Sequence, residues 1–486
     1  MRINIVRHGT ASKIHGDWPD DLKHLLTFKT QTASYERDLR FSDETTEFWD
    51  EDPSDNSLII SSGFIKRVYK SLSGRGYAVK ITDKTNNQIP KPKYKKLGGK
   101  PHKWQIRALK ALERYPFGVF KIATGSGKTW LQTEIPKIYD TAKIAMVGRS
   151  SSVLNKLYKN LKASPIGQDV AGLGKVGYGK PNSRIVVCCD KSLHRLEADK
   201  IQILLYDEVH NAASPAAYEA LTSFVNANFF GFSASPDGRI DDRDPFIESL
   251  FGNVILDLSH KDLVKDGIVN PVEARIYMCS VPNINIDFIN KNGNKQRVNF
   301  VERMKRGYIR NEPRNRLIAD VVNQYRNKSV LILCRNDLEH LFRMRQYLPD
   351  FKMVYGPESM WSKSGRYKST YSKLMALGLM PENYKPLHPG EQFMMEEKFN
   401  KGEINKVICT NIWREGVDLP GLEVIVRADG DPGVIPSMQA SGRVVRKADK
   451  KSILIDFRDD FGSLFLNRSN AREKEYQKIG YTIKLM

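Results

Sequence analysis

The stretch Ala123-Thr124-Gly125-Ser126-Gly127-Lys128-Thr129 has the residue types of a phosphate-binding turn. It lies between a strand-like run, VFKI, and a helix-like one. Small residues let backbone N–H groups turn inward around phosphate oxygens, and a helix start adds the positive end of its dipole. Lys128 can then reach the β- and γ-phosphates of a nucleotide, and the Thr129 hydroxyl can ligate Mg2+. The full pattern of such loops places glycine where Ile122 stands here. Further along, ILLYDEVH (residues 203–210) is an apolar run ending in two carboxylates. A buried parallel strand delivers such residues to the carboxyl edge of its sheet, where ligands bind. There Asp207 would hold Mg2+ through water, and Glu208 would polarise an attacking water.

A third candidate is Arg7-His8-Gly9 in IVRHGT, which resembles the opening of a histidine phosphatase. In that family the His attacks phosphorus and the Arg holds the phosphate. The pocket needs further basic and His residues from later in the same domain. This candidate domain ends near residue 83, and only His15 and His24 follow within it. The triplet is therefore expected to be a strand end and turn.

The elements that would carry these groups follow from hydrophobic patterning. From about 100 to 262, GVFKIA, AKIAMVG, RIVVCC, IQILLYD and NFFGFSA alternate with helical segments. From about 271 to 460 the alternation returns with SVLILCR, KMVYG, NKVICT, EVIVRA and KSILIDF. This predicts an α/β chain with two parallel-sheet domains in series. Residues 1–83 read as a small α+β domain: INIV and SLIISSGF are strands, and Ile65, Val68, Tyr69 and Leu72 recur at helical spacing before a final strand. Between Lys84 and Lys103 stand seven lysines, three prolines, two glycines and no acid, the composition of a linker that can touch phosphates. The expected division is a domain over 1–83, a linker over 84–100, and parallel-sheet domains over 101–270 and 271–486. A basic, aromatic insertion at 359–390 interrupts the last; it carries Lys363, Arg366 and Lys368 beside Trp361 and Tyr367.

Lys and Arg total 77 against 56 Asp and Glu, a net charge of +21 over 486 residues, which favours a polyanionic partner. There is no apolar run of about 18 residues, so no membrane span is expected. The N-terminus lacks the roughly 7–15-residue apolar core of a secretion signal. The expected location is the cytoplasm, a host cell's if the chain is phage-encoded. The five cysteines have no zinc-site spacing and read as reduced core residues. The oligomeric state is left open, a monomer included.

Taken together, the phosphate loop and Asp-Glu-Val-His resemble a superfamily 2 helicase of the DExH type, and further motifs of that family follow in order. KPHKWQIRAL resembles its adenine-reading segment, with Gln105 as base contact. MVGRSSSVLNKL and CCDKSLHRL resemble its strand-gripping motifs, which carry Arg149 and Lys191. GFSASP resembles its Ser-Ala-Thr motif, with Ser233 matching and Ser235 where Thr is commoner; His210 joins these as a coupling residue. VICTNIWREGVDLPGLEVIV places Gly416 and Asp418 at the nucleotide, and QASGRVVRK places Gln439, Gly442, Arg443 and Arg446. The resemblance implies two RecA-like domains, ATP and Mg2+ as cofactors, and an arginine finger from the second domain. LIISSGFIKRVYKSLSGRGYAVKI is similar to the N-terminal domain of the phage UvsW-type branch-migration helicases. That likeness implies branched or forked DNA as partner and a DNA-contacting first module. A duplex translocase or an RNA helicase on the same core is the alternative.

Overall fold

The computed structural model describes residues 2–35, 39–85, 89–123, 125–236, 241–281, 288–289, 295–296, 299–356, 372–380, 384, 387, 391–410, 413, 419, 421–432 and 452–486. Two sheets of seven strands dominate it, and every pairing within them is parallel. The first runs in the order Val170–Leu173, Ile185–Cys189, Ile144–Gly148, Ile203–Asp207, Asn228–Ser233, Phe117–Ile122, Val254–Leu258. The second runs Lys352–Val354, Lys406–Cys409, Val330–Leu333, Val424–Arg427, Ser452–Asp459, Val272–Cys279, Thr482–Leu485. Helices cross over between the strands, the arrangement of two tandem RecA-like domains. Strands covered on both faces must be apolar along their whole length. Accordingly every residue of Ile144–Gly148, Ile185–Cys189 and Ile203–Asp207 is buried. All five cysteines are buried and reduced. Among the described residues no helix is long and apolar enough to cross a membrane.

Packing divides the chain into two compact units. One holds residues 1–258 apart from the turn at 124–126; residues 259–486 make the body of the other. The division falls ahead of the boundary expected at residue 270. The helix His260–Lys265 belongs with the second unit, where the His260 ring stands edge-on 5.1 Å from Tyr481.

The first 83 residues form a mixed sheet in the order Trp49–Asp52, Ser57–Ser61, Ala11–His15, Arg2–His8, Ala78–Asp83. A separate antiparallel hairpin, Thr27–Tyr35 with Leu39–Glu47, accompanies it. The helix Ile65–Gly74 buries Ile65, Val68 and Leu72 as expected, whereas Tyr69 is 42% exposed. This module shares one apolar core with the first parallel sheet. Phe48 packs on Phe64 at 5.3 Å and on Phe246 at 5.0 Å, and Arg67 makes a two-pronged contact to Glu248 at 3.1 and 2.5 Å. At Gly63 a Cβ would lie 1.8 Å from the Glu248 carbonyl oxygen, so only glycine allows that approach.

Arg7-His8-Gly9 belongs to the same seam. The Arg7 guanidinium is 4% exposed; its Nε donates to the Gly9 carbonyl at 3.0 Å, and an Nη donates to Asp83 at 2.7 Å. At Gly9 a Cβ would lie 1.6 Å from the Val225 carbonyl oxygen, and Thr10 N–H donates to that oxygen at 3.0 Å. Arg7 is thus committed to the fold, as a strand end and turn require, and is not presented to a phosphate. Deleting residues 1–83 is expected to expose Phe246 and its neighbours and to leave an aggregating remainder. Size-exclusion chromatography and a thermal melt check this; a monodisperse product with a cooperative transition would contradict the shared core.

Candidate nucleotide-binding site

The phosphate loop joins the strand Phe117–Ile122 to the helix Lys128–Ile138. Gly127 caps the helix in the left-handed region at φ 95°, and Gly125 is left-handed at φ 86°. Both conformations favour glycine. A Cβ on Gly127 would also approach Gln105 Nε2 to 3.1 Å. Gln105 is buried against the loop: its Nε2 donates to the Gly127 carbonyl at 3.4 Å, and its Oε1 accepts from His102 N–H at 2.8 Å. The expected base contact therefore also braces the loop. The Ser126 hydroxyl is buried with no hydrogen-bond partner among the described residues, which suits an atom whose partner is a ligand oxygen.

The loop lysine meets both carboxylates. Lys128 Nζ lies 2.8 Å from Asp207 Oδ1 and 2.8 Å from Glu208 Oε1. Burial works against the ammonium charge, but the two carboxylates outweigh it and raise the Lys128 pKa well above its ordinary value. Glu208 follows the last strand residue in a left-handed conformation, φ 52° and ψ 62°. For a residue other than glycine this is strained, by about 1–3 kcal/mol. The turn is held by Asn211 Nδ2, which donates to the Glu208 carbonyl at 3.2 Å. Backbone strain of this kind clusters at active sites and ligand clamps.

His210, Ser233 and Ser235 are joined to Glu208 by hydrogen bonds. His210 Nδ1 lies 3.1 Å from Ser233 Oγ, Ser233 Oγ donates to Glu208 Oε2 at 3.4 Å, and Ser235 N–H donates to Ser233 Oγ at 3.1 Å. Glu208 is thereby linked to the end of the neighbouring strand Asn228–Ser233.

The donor set suits Mg2+, a hard cation that takes oxygen ligands. Asp207 and Thr129 offer a carboxylate and a hydroxyl. Among the described residues no group of three or more His, Cys, Asp or Glu could hold a metal alone. Mg2+ is characteristically held by one or two carboxylates together with substrate phosphates, which matches this arrangement.

One residue at the site escaped the sequence reading. Gln132, buried one turn into the helix after Lys128, donates from Nε2 to Asp207 Oδ1 at 3.1 Å. Lys128 meets the same oxygen, so Oδ2 is the one available to a ligand. The only signal in the sequence was a polar residue four positions after Lys128, on the same helix face. Gln132→Leu is expected to raise the Mg2+ concentration for half-maximal binding of a fluorescent ATP analogue by about 10- to 100-fold, as loss of an outer-shell partner does. Binding in EDTA should not change. An unaltered Mg2+ dependence would show that the contact does not orient Asp207.

Arg149 and Lys191 are exposed just beyond the carboxyl ends of neighbouring strands, where Gly148 pairs with Cys189. Thr124, Gly416, Asp418, Gln439, Arg443 and Arg446 lie outside the described residues, as do Lys363, Arg366 and Lys368 of the insertion. In the second unit the structure adds a buried ionic lattice. Arg427 grips Asp429 with two contacts, at 3.0 and 2.9 Å; Arg314 holds Asp459 at 2.7 Å and Arg472 holds Asp456 at 2.8 Å.

Residues 98–238 match the family described as type III restriction enzyme, res subunit, and residues 381–448 match the helicase conserved C-terminal domain. The chain is an ATP-hydrolysing helicase, and it resembles the superfamily 2 type. This helicase is 22% identical over 373 residues to the DNA 3'-5' translocase XPB2 of Sulfurisphaera tokodaii, covering 73% of this chain and 80% of that one. Among solved structures, Saccharomyces cerevisiae Dbp5 bound to RNA and ADP-BeF3 aligns at TM-score 0.51 and 16% identity, over 79% of the helicase and 90% of Dbp5. Phage T4 UvsW aligns over 100% of the helicase and 99% of its own chain, at TM-score 0.42 and 15% identity.

Proposed function

We propose that this helicase uses ATP hydrolysis to translocate on DNA and to remodel branched DNA, such as forks and Holliday junctions. The observation that carries the ATPase part is Lys128 held between Asp207 and Glu208 at 2.8 Å from each. A γ-phosphate entering the loop takes over Lys128, and Glu208 is then free to orient a water. That water attacks the γ-phosphorus as the bond to the bridging oxygen breaks, leaving ADP and phosphate. Thr129 and Asp207 would hold Mg2+, which supplies charge neutralisation across the β- and γ-phosphates. Gln105 reads the base, and Gly416 and Asp418 complete the nucleotide contacts. Gln439, Arg443 and Arg446 act on the transferring group, where positive charge stabilises the transition state.

DNA as substrate is supported by the net charge of +21 and by the similarity to a DNA translocase. Branched DNA is supported by the resemblance of residues 58–81 to the UvsW-type N-terminal domain. The proposed site of action is the cytoplasm. The insertion at 359–390, with Lys363, Arg366 and Lys368, is proposed to meet DNA rather than ATP. Strand-displacement assays on a fork, a linear duplex and an RNA duplex test the reading. Preferential opening of the fork is expected; faster action on RNA would replace this reading with that of an RNA helicase.

A further inference from the structure

Tyr178 is 102% exposed, a fully solvated aromatic ring on an ordered part of the first unit. It sits in Gly174-Lys175-Val176-Gly177-Tyr178-Gly179-Lys180, which leaves the carboxyl end of the strand Val170–Leu173. The loop is built rather than loose. Gly179 N–H donates to the Gly172 carbonyl at 2.8 Å, and Gly177 N–H donates to the Gly174 carbonyl at 3.3 Å. Gly174 is left-handed at φ 62°, and a Cβ there would lie 2.4 Å from Ser192 Oγ. A Cβ on Gly179 would lie 2.6 Å from the Cβ of Ala171. The glycines therefore press the loop onto the strand and onto residues 190–195; Val176 is buried, and the Tyr178 ring is left in solvent.

The surroundings are cationic. Lys175 and Lys180 flank the ring in sequence, and Lys191 and Arg149 follow the next two strands of the same edge. All four are exposed, and none forms an ion pair among the described residues. Burial and Asp190 raise the Cys189 thiol pKa while Lys175 and Lys191 pull it down, which places both ammonium groups near one strand end. An aromatic face set among unpaired cations is the composition of a single-strand platform. Cations follow the phosphates, and the ring stacks on a base regardless of sequence.

We propose that Tyr178 stacks on an unpaired base of a DNA single strand whose phosphates are met by Lys175 and Lys180. This rests on the reading of the protein as a DNA helicase. Fluorescence anisotropy with labelled oligothymidylate and with an abasic strand of equal length tests it on the full-length protein. Tyr178→Ala is expected to weaken oligothymidylate binding about 5- to 150-fold, the range for loss of one stacked base. Its binding to the abasic strand, its log–log salt slope and its melting temperature should match the unmodified protein. Tyr178→Trp should restore affinity. Lys175→Gln with Lys180→Gln should flatten the salt slope by about 0.7 per lost contact while keeping the preference for bases. Tyr178→Ala binding oligothymidylate as tightly as the unmodified protein would overturn the stacking role alone. An unmodified protein that binds no DNA strand would overturn the DNA reading itself, and this proposal with it.

Discussion

Arg446→Ala is expected to lower kcat for ATP hydrolysis by about 10³- to 10⁵-fold with little change in KM. A finger residue acts on charge that develops as the γ-phosphoryl group transfers, so its loss is felt in the transition state and hardly in the ground state. The assignment comes from QASGRVVRK, which follows the strand Val424–Arg427 in sequence. The exit of that strand is firmly fixed: Asp431 receives Arg335 at 2.8 Å and Arg468 at 3.2 Å. A steady-state ATPase assay gives kcat and KM separately. Near-normal turnover would refute the finger role, and a raised KM at unchanged kcat would turn Arg446 into a ground-state binding residue.

Lys128→Ala should remove at least about 10²- to 10³-fold of the turnover, the loss typical when one preorganised charge donor is deleted. Lys128 is the single cation between Asp207 and Glu208 in the described structure, at 2.8 Å from each. Its removal takes positive charge from the phosphates and leaves two carboxylates facing each other. DNA binding should survive, because Arg149, Lys175 and Lys191 lie beyond other strands of the sheet. A folded variant that loses DNA affinity as fully as ATPase activity would contradict this division of labour.

The parallel sheets were legible because buried parallel strands are written as continuous apolar runs. IVVCC and ILLYD could be read directly, and every core strand expected from such runs is present. Strands without that signature were missed. Val272–Cys279 carries the charged residues Glu273 and Arg275 within its apolar run, which an ion pair at 2.8 Å accommodates. Val170–Leu173 is short and contains a glycine, and the hairpin Thr27–Tyr35 with Leu39–Glu47 is mostly polar, with no continuous apolar run. At the site, Lys128, Asp207 and Glu208 could be read because their chemistry needs fixed residue types at fixed spacing. The left-handed turn at Glu208 and the Gln132 contact could not, since both depend on a side chain or backbone meeting a distant partner. The same holds for the buried arginines. Arg314 and Arg472 look like surface residues in a basic chain, yet each is buried on an aspartate brought from elsewhere in the sequence. The lysine- and proline-rich stretch that follows the first module after residue 83 has the composition of a linker. The core around Phe48 and Phe246 joins that module to the first parallel sheet, through contacts that no local pattern announces.

DNA is proposed to drive this ATPase, and branched forms to drive it most. The most direct measurement is the ATP hydrolysis rate of the purified protein with saturating fork, Holliday junction, linear duplex, single strand or RNA duplex, and with no nucleic acid. A slow basal rate, strong stimulation by DNA, and the highest rate on forks and junctions are expected. A rate that no DNA raises, or that RNA raises most, would contradict the proposal.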